Sequence, residues 1–224
     1  MIRVFDILLS GIAIVILFPL MIPIMIALKL TGEHYIFYLQ PRVGKGGKEF
    51  NIMKFATMLK DSPNLVGGVL TQKNDPRILP MGKFLRKTKI NELPQLINIF
   101  IGQMSVIGPR PQAKQHYELY SDEVKKAIDS IPPGLSGTGS IIFRDEENIL
   151  DNVQVDRDRF HDIIIAPYKG ELEIWYSQNR SLYNYFMHIF LTILVIVKPS
   201  SDMSRFLKNL PEVPVKLKDY LFHA

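Results

Sequence analysis

The residues whose types and spacing could do chemistry in this chain are arginines, lysines, glycines and one amide–carboxylate pair. Gly108-Pro109-Arg110-Pro111 sets an arginine between two prolines, which stiffen the backbone and can aim a guanidinium for bidentate phosphate recognition. A structural loop carrying a surface arginine could have the same sequence. Gly44-Lys45-Gly46-Gly47-Lys48 could cradle a phosphate with backbone N–H groups, or be a solvated hairpin turn, since it lacks the Gly-Lys-Ser/Thr ending of a nucleotide-binding loop. Asn91-Glu92 stands at the start of an apolar stripe, where helix N–H groups and the helix dipole favour anions. As a plain cap Asn91 needs no chemical role. A carboxylate there, with Arg77, Arg86, Lys87 and Lys89 nearby in the chain, would be strongly ionised and could hold a metal.

Other chemistries are excluded by composition. The chain has 224 residues and 25.7 kDa, enough for one domain and a small appendage. With 47% hydrophobic and 22% charged residues it is neither disordered nor fibrous. There is no cysteine, hence no thiol catalysis, disulfide scaffold or Cys-ligated metal. Five scattered His without an HExxH pattern argue against a His-based metal site. Residues 42–116 hold 13 Lys and Arg against 4 Asp and Glu, whereas residues 117–224 hold 12 against 16. A basic block of this kind fits the cytoplasmic side of a membrane, anionic headgroups or phosphate ligands. Nucleic acid is not expected as a partner, because aromatic interleaving is sparse and no nucleic-acid-binding motif is present.

The elements that must position these residues follow from patterning. Ile7–Leu28 is free of charge and long enough for a membrane helix, and it explains a mean hydropathy of +0.08 in so charged a chain. Pro19 and Pro23 lie inside it, where each removes a hydrogen bond, so a kinked span and a re-entrant helix broken near Pro23 both remain open. Residues 34–55 predict a hairpin about the Gly-rich turn. Residues 59–80, with Pro63, Gly67, Gly68 and Pro80, predict a loop. Leu93, Leu96, Ile97 and Phe100 predict one face of a helix capped by Asn91. Further helices are expected over Glu118–Ile131, Ile163–Gln178 and Tyr183–Val197. The run Phe186–Val197 is too short to span and is expected in the core or along a membrane surface.

A string of motifs carries a family resemblance. It includes Gln40-Pro41-Arg42-Val43-Gly44, Lys54-Phe55, Asn74-Asp75-Pro76-Arg77, Gly82-Lys83-Phe84-Leu85-Arg86-Lys87-Thr88, Glu92-Leu93-Pro94-Gln95-Leu96, Gly102-Gln103-Met104-Ser105 and Gly108-Pro109-Arg110-Pro111. Pro133-Gly134-Leu135-Ser136-Gly137 and Trp175-Tyr176 with Asn179-Arg180-Ser181-Leu182 complete it. In this order and over this length the chain resembles the bacterial sugar transferases, the monotopic polyprenyl-phosphate phosphoglycosyl transferases. The resemblance implies a small α/β domain with amphipathic surface helices behind a re-entrant membrane helix broken at Pro19 and Pro23. It implies an anchor over residues 1–32, a transferase domain over 33–200 and a C-terminal tail over 201–224. It further implies transfer of a sugar 1-phosphate from a UDP-sugar to undecaprenyl phosphate, with Mg²⁺, at the cytoplasmic face of the bacterial inner membrane. The expected partners are therefore those two substrates and membrane lipids, and a homodimer is compatible with it. Carried over to this chain, the catalytic positions are Asn91 and Glu92, with Glu92 the metal ligand, and the phosphate contacts are Arg42, Lys54, Arg77, Arg86 and Arg110.

Three departures stand in those motifs. Asn91 replaces an aspartate taken in the family as the nucleophile, and an amide cannot readily replace it, because its nitrogen lone pair is delocalised. Ala56 replaces an arginine, and Gly137-Thr138-Gly139-Ser140-Ile141 replaces Gly-Trp-Ala-Gln-Ile. Two functions follow as expectations: a transferase that works without an aspartyl intermediate, and an accessory membrane protein that binds its ligands without turnover.

Overall fold

The computed structural model describes residues 1–62, 75–144, 146, 149–150, 157–198 and 203–221, so the expected loop's Pro63, Gly67 and Gly68, and Asn74, lie outside the described residues. Packing divides the chain into two compact units that alternate along the sequence. One comprises Met1–Phe5, Arg42–Phe50 and Gly102–Ala224, the other Asp6–Pro41 and Asn51–Ile101. This grouping differs from the anchor, domain and tail boundaries expected from sequence, because the anchor helix shares a core with the residues that follow it.

Helix α1, Ile2–Leu30, stays helical through Pro19 and Pro23. Among the described residues it is the one helix long and apolar enough to cross a membrane. Val4, Leu8, Ile12, Val15, Ile16, Phe18, Ile22 and Ile26 lie exposed along it. Exposed aliphatic surface on this scale belongs in hydrocarbon. From Asp6 onward α1 belongs to the second unit, where Met21, Ile24 and Leu28, a turn or so apart, share a core with Phe55 and Leu85. Strand β1, Phe37–Val43, pairs with β2, Glu49–Phe55, as the hairpin pattern predicts. Phe37 and Phe55 stack at 5.7 Å. Helix α2, Pro80–Lys87, begins at a proline, whose missing N–H costs nothing in a first turn. A Cβ at its Gly82 would fall 2.1 Å from the Thr57 carbonyl oxygen, so only glycine lets α2 lie that close to the chain.

Helix α3, Gln95–Ile101, departs from the predicted face. Gln95, Leu96, Asn98 and Ile99 are buried, while Phe100 is exposed. The cause is Asn98. Its Oδ1 accepts the Met53 backbone N–H at 2.9 Å and its Nδ2 donates to the Asn51 carbonyl at 2.8 Å, which turns an amide inward to complete the hydrogen bonding of β2.

In the other unit β3, Ser105–Ile107, runs parallel to β4, Gly134–Ser136, with Ser105 opposite Gly134 and Ile107 opposite Ser136. Helices α4, Lys114–Glu118, and α5, Asp122–Asp129, form the crossover that a parallel pair requires. Ser121 caps α5, so the single helix expected over 118–131 is two. Helix α6 is Thr138–Ile142, and α7, Arg157–Phe160, passes through a π turn at His161–Ile165 into α8, Ala166–Gln178. Helix α9, Leu182–Val197, is capped by Ser181. Phe143, Phe160, Ile165, Tyr168 and Leu172 form the core of this unit, and Leu217 of α10, Val215–Leu221, is fully buried among them. Residues 203–221 thus include packed structure within the expected tail.

Helix α9 packs one face into the core, one of the two places expected for its apolar run, and leaves the other face exposed. Tyr185, His188, Leu191 and Val195 face inward, while Tyr183, Phe186, Phe190, Ile193 and Ile196 are exposed. Its inner face carries a polar ladder. The His188 Nδ1–H donates to the Asn184 carbonyl at 2.7 Å, which leaves Nε2 to accept the Thr138 hydroxyl at 2.9 Å. Thr192 Oγ1 donates to the His188 carbonyl at 2.7 Å, so the Ser136 hydroxyl, 2.8 Å away, donates to Thr192.

Burial lowers the His188 pKa to about 4, so the ring is neutral in the fold. A folded-state value below the unfolded value near 6.5 gives stability that is present above that value and lost as pH falls toward 4. We expect the unfolding free energy from urea titrations to drop between pH 7 and pH 5, by on the order of 2 kcal/mol, and His188→Gln to abolish that drop. Equal pH sensitivity in the two proteins would remove His188 as its source.

Candidate active site

In the unit that holds Glu92, the chain enters the site through a left-handed residue. Lys89 has φ 60° and ψ 8°, and Ile90–Glu92 follow as a single 3₁₀ turn before α3. Asn91 is therefore not the cap of α3. Its side chain is buried at 8% exposure, and its Oδ1 has no hydrogen-bond partner. An orphaned, buried carbonyl oxygen costs about 1–3 kcal/mol and invites a donor or a cation. Beside it, Glu92 is half-buried and accepts a long 3.4 Å bond from Gln95 Nε2. Arg86 of α2 is half-buried, with Nη1 3.5 Å from the Met58 sulfur. Lys54 Nζ donates to Gln40 Oε1 at 3.1 Å.

Arg77 has a different setting from the one expected. Its guanidinium is buried and forks onto Asp75, with Nε to Oδ1 at 2.9 Å and Nη2 to Oδ2 at 2.6 Å, while Nη1 donates to the Ser62 carbonyl at 2.6 Å. Three donors spent within the protein leave this arginine as a clamp on the chain around Ser62 and Asp75, not as an open phosphate ligand. Ala56 is a core residue, 1% exposed, and its N–H donates to the Ile36 carbonyl. The departure from arginine at 56 therefore sits in packed interior.

The remaining candidates, Arg42 and Arg110, lie in the other unit. The Gly-rich turn beside Arg42 spends its amides on itself: the Gly44 N–H donates to the Lys48 carbonyl and the Gly47 N–H to the Gly44 carbonyl. A Cβ on Gly47, which has φ 69°, would meet Asp129 Oδ2 at 3.4 Å and the Tyr117 hydroxyl at 3.5 Å. The nearby Asp129 carboxylate disfavours phosphate, and Lys45, Gly46, Gly47 and Lys48 are exposed, so the turn is the solvated hairpin turn of the two readings. Arg110 has an exposed side chain on a fastened backbone. Pro109 is buried, its carbonyl accepts the Gly134 N–H at 2.8 Å, and the Gly108 N–H donates to the Ser136 carbonyl at 2.9 Å.

Behind Arg110 lies a charged cluster that sequence reasoning missed. The Glu173 carboxylate of α8 accepts the Arg110 backbone N–H, and burial raises its pKa to about 7. Lys169, one turn earlier, donates to Glu146 at 2.6 Å, and burial lowers its pKa. Burial, and then the charges of Glu173 and Glu146, raise the pKa of Tyr120. Lys169 and Glu173 at i and i+4 look like a surface ion pair. The signal against that reading was the apolar company of Glu173, with Leu172, Trp175 and Tyr176 all buried.

If Arg77 is a clamp, Arg77→Lys should lower the thermal midpoint because lysine cannot fork onto Asp75, and Asp75→Asn should do the same. Circular dichroism melts of both variants check this. A loss of ligand affinity with an unchanged melt would instead return Arg77 to the ligand site.

The family model described as bacterial sugar transferase matches residues 1–199. The chain is 34% identical over 209 residues to an uncharacterized sugar transferase of Haemophilus influenzae, covering 87% of this chain and 40% of that protein. It is 34% identical over 197 residues to the UDP-N-acetylgalactosamine-undecaprenyl-phosphate N-acetylgalactosaminephosphotransferase of Aeromonas hydrophila, covering 87% and 43%. The exopolysaccharide production protein ExoY of Rhizobium meliloti is 32% identical over 205 residues, covering 85% and 83%. The chain thus spans about two fifths of the length of the first two relatives and most of the third. Together with the motifs assembled around Glu92 and Arg110, these matches make the chain a member of the bacterial sugar transferase family.

Proposed function

We propose that this chain transfers a sugar 1-phosphate from a UDP-sugar to undecaprenyl phosphate, the first lipid-linked step of a surface glycan. The observation that carries the reading is the Ile90–Glu92 turn, which carries the half-buried Glu92 directly after Asn91, whose buried Oδ1 has no partner. Relatives named for this transfer to undecaprenyl phosphate support the substrate pair. Because the Asn91 amide is a poor nucleophile, the lipid phosphate oxygen attacks the β-phosphorus of the UDP-sugar directly. The bond from that phosphorus to the bridging oxygen breaks, and its electron pair leaves with UMP. Arg86 and Lys54 are the proposed phosphate contacts in the Glu92 unit, and Arg42 and Arg110 those of the other.

The donors on the turn fit Mg²⁺, a hard cation that takes one or two carboxylates and completes its shell with water and substrate phosphate. Glu92 would hold it, with the orphaned Asn91 Oδ1 as a neutral oxygen donor. Bound there, the ion would neutralise charge on the phosphates.

A UMP-release assay over a panel of UDP-sugars tests this. Turnover should need both substrates at once and leave no sugar phosphate on the protein, whereas release of UMP before lipid arrives would demand a covalent intermediate. Glu92→Gln should abolish Mg²⁺-dependent turnover. Asn91→Asp should leave activity unchanged or lower, because it adds negative charge beside incoming phosphate. A gain of orders of magnitude with a trappable adduct would show instead that an aspartyl route is the competent one. Binding without release of UMP for any UDP-sugar would favour the accessory reading.

The long apolar helix associates the chain with a membrane. We propose further that α1 is re-entrant, with both ends at the cytoplasmic face of the inner membrane, its two prolines easing a bend that a straight span would not need. The chain has no native cysteine, so a single cysteine at Ile2 can be labelled cleanly. Labelling from the cytoplasmic side is expected; labelling only from the periplasm would make α1 a span.

A further inference from the structure

The mounting of Arg110 holds more than the resemblance accounts for. Three backbone bonds fasten the segment that carries it: Gly108 N–H to Ser136, Gly134 N–H to Pro109, and the Arg110 N–H to the carboxylate of Glu173. The first two are strand-edge bonds. The third is made by a buried acidic side chain from α8, which is expensive to place there without a purpose. Glu173 spends one oxygen on Arg110, and its other oxygen, Oε2, is buried without a partner.

Its surroundings are fitted to it. A Cβ added at Gly139 would stand 3.3 Å from Glu173 Oε1 and 3.9 Å from the Lys169 Cγ. An alanine, the residue usual at that position in the family motif, would thus press on the carboxylate. Lys169 and the Arg110 guanidinium are the positive charges facing Glu173, while Tyr120 and Glu146 are the other titratable groups of the cluster.

We propose that Glu173 is the positioning residue of Arg110, and that Gly139 is its matched partner, the space that lets the carboxylate reach the Arg110 backbone. The guanidinium side chain is left exposed for a ligand phosphate while its backbone is held from behind. This rests on the reading of Arg110 as a phosphate contact. The departure at 139 is then an adaptation of the mounting and not a loss of function.

Amide hydrogen exchange on the full chain in detergent micelles reads the mounting directly, independent of activity. The Arg110 amide should be protected in the unmodified protein and in Glu173→Gln, whose side-chain oxygen still accepts. It should lose protection at least tenfold in Glu173→Ala and in Gly139→Ala, while core amides around Ile165–Leu172 stay protected. If Glu173→Ala does not fold, Gly139→Ala and Glu173→Gln decide. Equal protection of the Arg110 amide in all variants that fold overturns the proposal.

The functional arm uses UDP as probe. Glu173→Ala and Arg110→Ala should each weaken UDP binding by about tenfold, and the double variant no more than either alone, because both remove one aimed guanidinium. Additive losses overturn the positioning role even where exchange changes. If UDP fails to bind the unmodified chain, the transferase reading falls, while the exchange arm still judges Glu173.

Discussion

Backbone passes so close to backbone around Gly108 that side chains are excluded, and much of the larger unit hangs on this. A Cβ on Gly108 would fall 2.5 Å from the Pro132 carbonyl oxygen, one on Gly134 2.1 Å from the Gly108 nitrogen, and one on Gly137 2.2 Å from the Gly108 oxygen. Three glycines therefore act as one requirement. They let β3 and β4 pair in parallel over only three residues each, a length that would not hold without help. From that pairing come the place of Pro109-Arg110 at the end of β3 and the place of Ser136 and Thr138 opposite α9. The polar ladder through His188 then fixes α9 in register.

Several elements were legible because their signals are local. The helices expected over Ile163–Gln178 and Tyr183–Val197 stand where their apolar patterning put them, whereas the Ser121 cap went unread, so one helix was expected over 118–131 where there are two. The hairpin followed from two extended stretches about a Gly-rich turn. What was hidden depends on partners distant in sequence. The inward turn of Asn98 answers unpaired backbone groups 45 and 47 residues earlier, and no periodicity records that. Arg77 looks like any basic residue in a basic block until Asp75 and Ser62 close around it. At the candidate site, the pair Asn91-Glu92 was found by motif, but its setting on a separate turn entered through left-handed Lys89 was not.

The polar settings of the two units, each taken by itself, differ in kind. Around Asn91 and Glu92 hydrogen bonding is incomplete, with an unpartnered oxygen and one long bond, as expected of groups that await a ligand. Around Glu173 the charges are partly compensated and deeply placed, and the protein keeps them where low dielectric strengthens each interaction. The departures at Ala56, Thr138 and Gly139 fall in packed surroundings, each with its own local bond or contact.

The alternation of the two units along the chain also has a consequence in time. Phe5 packs edge-on against Phe186 at 5.0 Å within one unit, although nearly the whole chain separates them. At roughly 5–20 residues per second, a ribosome needs on the order of ten to forty seconds to deliver the second ring after the first. The apolar helix that begins beside Phe5 emerges long before the unit that will hold its first turn exists. Nascent α1 must therefore find lipid or a chaperone first, and the larger unit is completed only on a chain already committed to its membrane. Neither unit is one continuous stretch of sequence, so proteolytic or genetic dissection cannot release either as a single fragment.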